Sequence, residues 1–149
     1  MTLGDAGVLL LGPPGSGKSD LVLRLIDQPG YGISGALRIA HVVSDDQVAV
    51  RLDGGRLVAA PPKSIAGCME IRGLGLANLP HRAEAALVIA VRLVAKEKID
   101  RMPDMTNDRF EILGTSIPLI AVDAASASAP ARIRAALDRL EHGGINIAS

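Results

Sequence analysis

The chain has 149 residues, the size of about one ordinary domain, and 48% of them are apolar. Its 16 Lys and Arg balance 16 Asp and Glu, so no basic excess points to bulk nucleic-acid or membrane-surface binding. Tyr31 and Phe110 are its only aromatic residues. That removes a stacking platform for single-stranded nucleic acid and leaves Leu, Ile, Val and Ala to build the core.

The first predicted element is a strand, from the apolar run Val8-Leu9-Leu10-Leu11. Gly12-Pro13-Pro14-Gly15-Ser16-Gly17-Lys18-Ser19 follows and fits G-x-x-x-x-G-K-[ST] at every fixed position. Leu21, Val22, Leu25 and Ile26 then recur at helical spacing, predicting a helix to about Asp27. The motif thus falls between a strand and a helix, the context of a genuine phosphate loop. Its glycines let successive backbone N–H groups point into one concavity that cradles phosphate oxygens. The helix adds unpaired N–H groups and its positive dipole end. Lys18 reaches the β/γ-phosphates of a nucleotide, and the Ser19 hydroxyl suits Mg²⁺.

Gln28 to Gly35, with Pro29 and three glycines, reads as a loop. Leu37 to Val43 is a predicted strand ending at Ser44-Asp45-Asp46. Gln47 to Leu52 alternates polar and apolar, Asp53-Gly54-Gly55 is a turn, and Arg56 to Ala60 is the partner strand. Pro61-Pro62 breaks the pattern. Cys68 to Arg72 is a short strand running into Gly73-Leu74-Gly75, and Ala85 to Val94 is a long buried one. Met102 to Asn107 is a loop, and Phe110 to Leu113 and Ile117 to Val122 are further strands. The Ala-Ser tract Ala124 to Pro130 reads as a short flexible connection. Ala131 to Leu140 is an amphipathic helix with Ile133, Ala136, Leu137 and Leu140 on one face. Arg132, Arg134, Asp138, Arg139 and Glu141 lie elsewhere around it, and Gly143-Gly144 ends it. The expected fold is a single α/β domain over 1–149: a mixed sheet, one crossover helix near the start and another at the end.

Cys68 is the only cysteine. It excludes an internal disulfide, fits a reducing compartment and reads as a small buried residue. Met1 to Asp5 carries no basic n-region, and no apolar run approaches bilayer length. The expected location is cytoplasmic, with neither nucleic acid nor membrane as partner.

A phosphate loop needs acidic partners, and three candidates follow apolar runs. Asp45-Asp46 is best placed: adjacent carboxylates repel, so one is expected to hold its proton to higher pH and to suit proton abstraction from a hydroxyl. Glu70 precedes Arg72 and a glycine-rich turn, and fits a metal site or a surface strand end alike. Asp123 imitates a metal-binding strand end, but nothing else in its Ala-Ser surroundings points to chemistry.

Three landmarks together resemble the catalytic, C-terminal domain of HPr kinase/phosphorylase, in the short form of some proteobacteria. They are Gly12 to Ser19 with Asp20-Leu21, then Val43-Ser44-Asp45-Asp46-Gln47-Val48, then Met69-Glu70-Ile71-Arg72-Gly73-Leu74-Gly75-Leu76. The last corresponds to the family's Glu-Ile-Arg-Gly-Leu-Gly signature and is the most specific. The resemblance runs from about Gly7 to Ile120, with an extended loop at Gln28 to Ala36. It implies a fold like that of phosphoenolpyruvate carboxykinase. It implies phosphate transfer from ATP to a serine of the phosphocarrier HPr, and removal of that phosphate by inorganic phosphate. Gly12, Pro13, Pro14, Gly15, Ser16, Gly17, Lys18 and Ser19 would then bind ATP. Ser19 and Glu70 would hold Mg²⁺, and the Asp45-Asp46 pair would supply the acid/base group, with Asp46 favoured. Arg101 resembles the family's catalytic arginine, and hexamers are common in the family.

Two family features have no match. The His of the strand upstream of the loop is not found; His41, His81 and His142 occupy other positions and read as surface or strand-end residues. Ile120 to Ser126 stands about where the family's Pro-Val-Arg-Pro-Gly-Arg-Asn segment would be, which weakens the expectation of dephosphorylation. An ATP-sensing regulatory module with little turnover, and a small-molecule kinase, are the competing readings.

Overall fold

A computed structural model of the chain describes residues 1–62 and 67–143. The strands are β1 (Thr2–Leu3), β2 (Ala6–Leu11), β3 (Ala40–His41), β4 (Ala49–Asp53) and β5 (Arg56–Ala60). They continue with β6 (Cys68–Ile71), β7 (Gly75–Asn78), β8 (Ala85–Leu93), β9 (Arg109–Ile112) and β10 (Thr115–Val122). The helices are α1 (Lys18–Asp27) and α2 (Ala129–Glu141), with one 3₁₀ turn at Lys96–Lys98.

The sheet runs β3-β1-β2-β8-β10-β9. Its centre, β2-β8-β10, is parallel, and its outer pairings are antiparallel. The β4–β5 hairpin joins it through Val58 and Ala59 against the start of β8, while β6 and β7 form a separate hairpin. The architecture is therefore the expected mixed α/β sheet.

The apolar central strands are explained by burial on both faces. One face, with Val8, Ile89, Val91, Leu93, Ile120 and Val122, packs on Leu21 and Leu25 of α1 and Ile133 and Leu137 of α2. Each of those four helix residues is at most 1% exposed, and each contributes about 1.5–3 kcal/mol of burial. The other face, with Leu9, Leu87, Ala90 and Ile117, is covered by Leu57 and Ala59 of β5 and flanked by Phe110 of β9. Between Gly7 and Val8 the pairing with β8 shifts register. There Gly7 lies so close to β8 that a methyl group would collide with the Ala86 carbonyl.

Several boundaries differ from expectation. The strand predicted over Leu37 to Val43 is reduced to Ala40–His41, because Arg38 turns its side chain to α2. Its Nε and Nη2 donate to Asp138 Oδ1 (3.1 and 2.8 Å) and its terminal nitrogens to Glu141. Asp138 also accepts from the backbone N–H groups of Ile33 and Ser34. The 30–39 loop therefore covers part of the helix face expected to meet solvent, and Arg134 and Asp138 are buried (2% and 0% exposed). Helix α2 begins two residues earlier than predicted. Ala129 is fully buried and Pro130 occupies the first turn, where a missing N–H costs nothing. The rest of the Ala-Ser tract forms turns held by Arg24, which donates to the carbonyls of Ala124 and Ser126. The strand at Cys68 gains an unforeseen partner, β7. Cys68 is half-buried rather than buried, its thiol 3.1 Å from Asn78 Oδ1. Gly144 lies outside the described residues.

Topology brings the candidate residues to one edge. Parallel β2, β8 and β10 end on the same side of the sheet. Strand β3 is antiparallel to β1, which is antiparallel to β2, so β3 ends there too. The segments leaving that edge are, in order across the sheet, Asp45-Asp46, the Gly12–Ser19 loop, Lys96 to Arg101, and Asp123.

Candidate active site

The Gly12–Ser19 loop leaves β2 and enters α1 through Gly17, whose left-handed φ of 91° a side chain would strain. A turn inside it is closed by Ser16 N–H to the Pro13 carbonyl (3.1 Å). No side chain caps α1, so its first N–H groups remain available to an anion. Lys18 folds back over the loop, its Nζ 2.5 Å from the Gly12 carbonyl and 3.3 Å from that of Pro13.

Lys18 lines two cavities at once. One, of about 510 Å³, also takes Ser19, Met69, Glu70 and Arg72 into its walls. The other, of about 90 Å³, is bounded by Val22, Ser44, Asp45 and Asp46. The β6–β7 hairpin delivers Glu70: buried Met69 anchors the strand and its neighbour is exposed at the cleft.

Ser19 Oγ lies 3.3 Å from Asp45 Oδ1. Burial pushes the Asp45 carboxyl above the ordinary carboxylate range, and the charge of Asp46 adds to it. The Ser19 hydroxyl and the Glu70 backbone N–H pull in the opposite direction. Asp46 is exposed. The repulsion expected of the pair thus falls on its inner member, while the outer one faces solvent.

Five expected residues therefore converge: Lys18, Ser19, Asp45, Asp46 and Glu70. Arg101 does not join them. It faces a third cleft, of about 570 Å³, with Lys96, Asp123 and Arg132. Lys96 is not singled out by the sequence, and Arg132 appears there only as a polar position of the last helix, because neither belongs to a motif. Their signal was positional: one follows a central strand and the other opens the last helix. Of the histidines, His41 ends β3, His142 caps α2, and His81 is exposed. None lines these cavities.

The model of the HPr serine kinase C-terminal domain matches residues 1–138. The chain belongs to that family. Among relatives of this HPr kinase domain is the HPr kinase/phosphorylase of Brevibacillus brevis, 29% identical over 126 residues. That alignment covers 78% of this chain and 37% of the relative. The HPr kinase/phosphorylase of Geobacillus thermodenitrificans is 32% identical over 128 residues, covering 78% of this chain and 38% of the relative. The chain thus spans less than two-fifths of the length of these relatives. Among solved structures, the HPr(Ser) kinase/phosphatase from Coxiella burnetii superposes with a TM-score of 0.72 at 25% identity. That match covers 95% of this chain and 88% of the Coxiella chain. The mixed sheet described above is the HPr kinase fold. No helix among the described residues is long and apolar enough to cross a membrane.

Proposed function

We propose that this chain is an ATP-dependent protein-serine kinase whose acceptor is an HPr-like phosphocarrier of a phosphotransferase system. One observation carries the reading. Lys18 is a wall of both the Glu70 cleft and the Asp45–Asp46 pocket, so phosphate-binding, cation-binding and acid/base groups meet around a single ammonium. A regulatory nucleotide sensor needs the first of these; phosphoryl transfer needs all three. The relatives, HPr kinases by name, supply the acceptor class.

The residues divide the work as follows. Backbone N–H groups of the Gly12–Ser19 loop and the α1 N-terminus bind the β- and γ-phosphates, and Lys18 exchanges its loop carbonyls for phosphate oxygens. The donor set at Ser19, Asp45 and Glu70 is all oxygen, which fits Mg²⁺. No three His, Cys, Asp or Glu side chains among the described residues form a cage for a metal. A nucleotide-bound Mg²⁺ needs none, since phosphate and water complete its shell. When bound, Mg²⁺ would offset the negative charge of the phosphate groups during transfer. Asp45 holds the Ser19 hydroxyl in place. The raised carboxyl is that of Asp45, but it is turned in to Ser19; Asp46, exposed beside it and within reach of a protein acceptor, takes the proton from the incoming serine hydroxyl as that oxygen attacks the γ-phosphorus and ADP leaves.

The resemblance further supports a cytoplasmic location and a hexameric assembly, while the missing match to the family's Pro-Val-Arg-Pro-Gly-Arg-Asn segment at Ile120 to Ser126 supports forward transfer as the dominant direction. The test of acceptor class is direct. Phosphocarrier incubated with the chain, ATP and Mg²⁺ is digested and its phosphopeptide sequenced. Phosphate on one serine, abolished when that serine is changed to alanine, is the expected result. ATP consumption with no modified carrier contradicts the reading.

A further inference from the structure

The site above uses the flank of the Gly12–Ser19 loop facing Asp45 and Glu70. The opposite flank carries the cleft of about 570 Å³ at the ends of β8 and β10. Its walls come from three places: Lys96, Ile99, Asp100 and Arg101 after β8, Asp123 and Ala125 after β10, and Arg132 from α2. This cleft is fixed in register with the loop. A methyl group on Gly17 would stand only 3.1 Å from Ala124 Cβ, and Arg24 of α1 ties down the carbonyls of Ala124 and Ser126.

Direction follows from the proposed cation site. Ser19, Asp45 and Glu70 mark where the terminal phosphate lies. A phosphate chain cradled by the loop then has its other end leaving toward β8 and β10. The chemistry there suits a nucleoside. Asp123 Oδ1 is held by the Ala125 N–H at 3.0 Å, and its other oxygen has no donor among the described residues. Ser128 Oγ holds Arg132 Nε at 2.8 Å, which leaves the terminal nitrogens free to turn to the cleft. Arg101 makes no ion pair among the described residues. Ile99 and Ala125 supply apolar wall. No aromatic side chain lines the cleft, so a planar guanidinium is the available stacking surface for a base. The volume lies within the usual range of small-molecule sites, about 300–1,000 Å³.

We propose that this cleft takes the nucleoside end of the nucleotide, with Asp123 accepting hydrogen bonds from the sugar hydroxyls and Arg132 lying against the base. Asp123 and Arg132 thereby become nucleotide-specificity residues, while Arg101 keeps the catalytic role that the resemblance implies. The proposal rests on the Gly12–Ser19 loop being the phosphate cradle.

Calorimetric titration of the full chain with the Mg²⁺ complexes of ATP and of inorganic tripolyphosphate separates the two. Asp123→Asn keeps an oxygen for the Ala125 N–H, and Arg132→Ala removes an exposed side chain, so both variants retain the fold. The wild type is expected to bind ATP about tenfold or more tighter than tripolyphosphate, worth about 1.4 kcal/mol. Each variant is expected to lose most of that advantage while holding tripolyphosphate unchanged. Equal wild-type affinity for both ligands overturns the nucleoside cleft but leaves the phosphate cradle standing. So does an unchanged preference for ATP in both variants, or a parallel loss of both ligands. A wild type that binds neither overturns the cradle, and the cleft with it.

Discussion

Asp45 and Asp46 are neighbours in sequence with different surroundings. The Asp45 side chain is turned inward to the Ser19 hydroxyl, and Asp46 stands in solvent. The account assigns proton abstraction to Asp46, so Asp46→Asn should leave ATP affinity nearly intact. It should slow serine phosphorylation by about 10²–10⁴-fold, the usual cost of losing a general base. Single-turnover transfer at saturating ATP measures this. If Asp45→Asn gives that phenotype and Asp46→Asn does not, the roles within the pair are reversed. Glu70→Gln tests the cation side. A neutral amide is a poorer ligand for a hard cation, so the Mg²⁺ concentration for half-maximal activity should rise severalfold while maximal rate at high Mg²⁺ largely recovers. A Mg²⁺ profile identical to wild type places the cation elsewhere. These residues were legible in the sequence because each lies in a short motif with fixed spacing. Lys96 and Arg132 were not, since isolated basic residues acquire meaning only once parallel strands place them at one sheet edge.

At the scale of elements, the phosphate loop, α1, the β4–β5 hairpin and the long strand β8 could be read from periodicity and turn residues. The errors share a cause: tertiary contacts overrode local pattern. Arg38 interrupts an apolar run, and its pairing with buried Asp138 and exposed Glu141 pulls 30–39 out of the sheet. Two polar positions of α2 are buried for the same reason. This network makes stability depend on acid. Burial alone would raise the Asp138 pKa. Hydrogen bonds from Ile33, Arg38 and Ser34 outweigh it and hold the carboxyl below its ordinary value. The hydrogen bond from Arg38 lowers Glu141 likewise. A carboxylate depressed in the folded state stabilises fully above its unfolded pKa of about 3.9–4.3, and that stabilisation is lost as pH falls through the folded value. Asp138→Asn leaves Arg38 with one partner, and should cost about 3 kcal/mol at neutral pH. Its melting temperature should then decline less than that of the wild type between neutral pH and the acid range; parallel declines contradict the role given to Asp138. Strand β2 offers a second test. Gly7→Val places a side chain against the Ala86 carbonyl and should destabilise by about 2–3 kcal/mol. Thermal unfolding would show a melting point several degrees lower, and an unchanged one would mean that β2 and β8 do not meet as described.

For the molecule as a whole, the parallel centre of the sheet is the organising fact. It sends four segments to one edge, with Asp45 and Asp46 on one side of the phosphate loop and the cleft of Arg101, Asp123 and Arg132 on the other. Strand order was not readable from sequence, because β1 and β3 are two residues each and carry no periodicity. The family resemblance, carried by three motifs, nonetheless reached the correct fold: two of them leave that edge, and the third forms the separate β6–β7 hairpin that lines the cleft beside the loop. The central claim is that Lys18 serves both sides of a transfer site. It is tested by mixing γ-labelled ATP, Mg²⁺ and the HPr-like phosphocarrier with wild type and with Lys18→Ala, and counting label on the carrier. Label on the carrier is expected with the wild type, and a loss of at least about 10²-fold in the variant, consistent with removing a charge-assisted contact of about 3 kcal/mol. Equal labelling by the two proteins, or none by either, contradicts it.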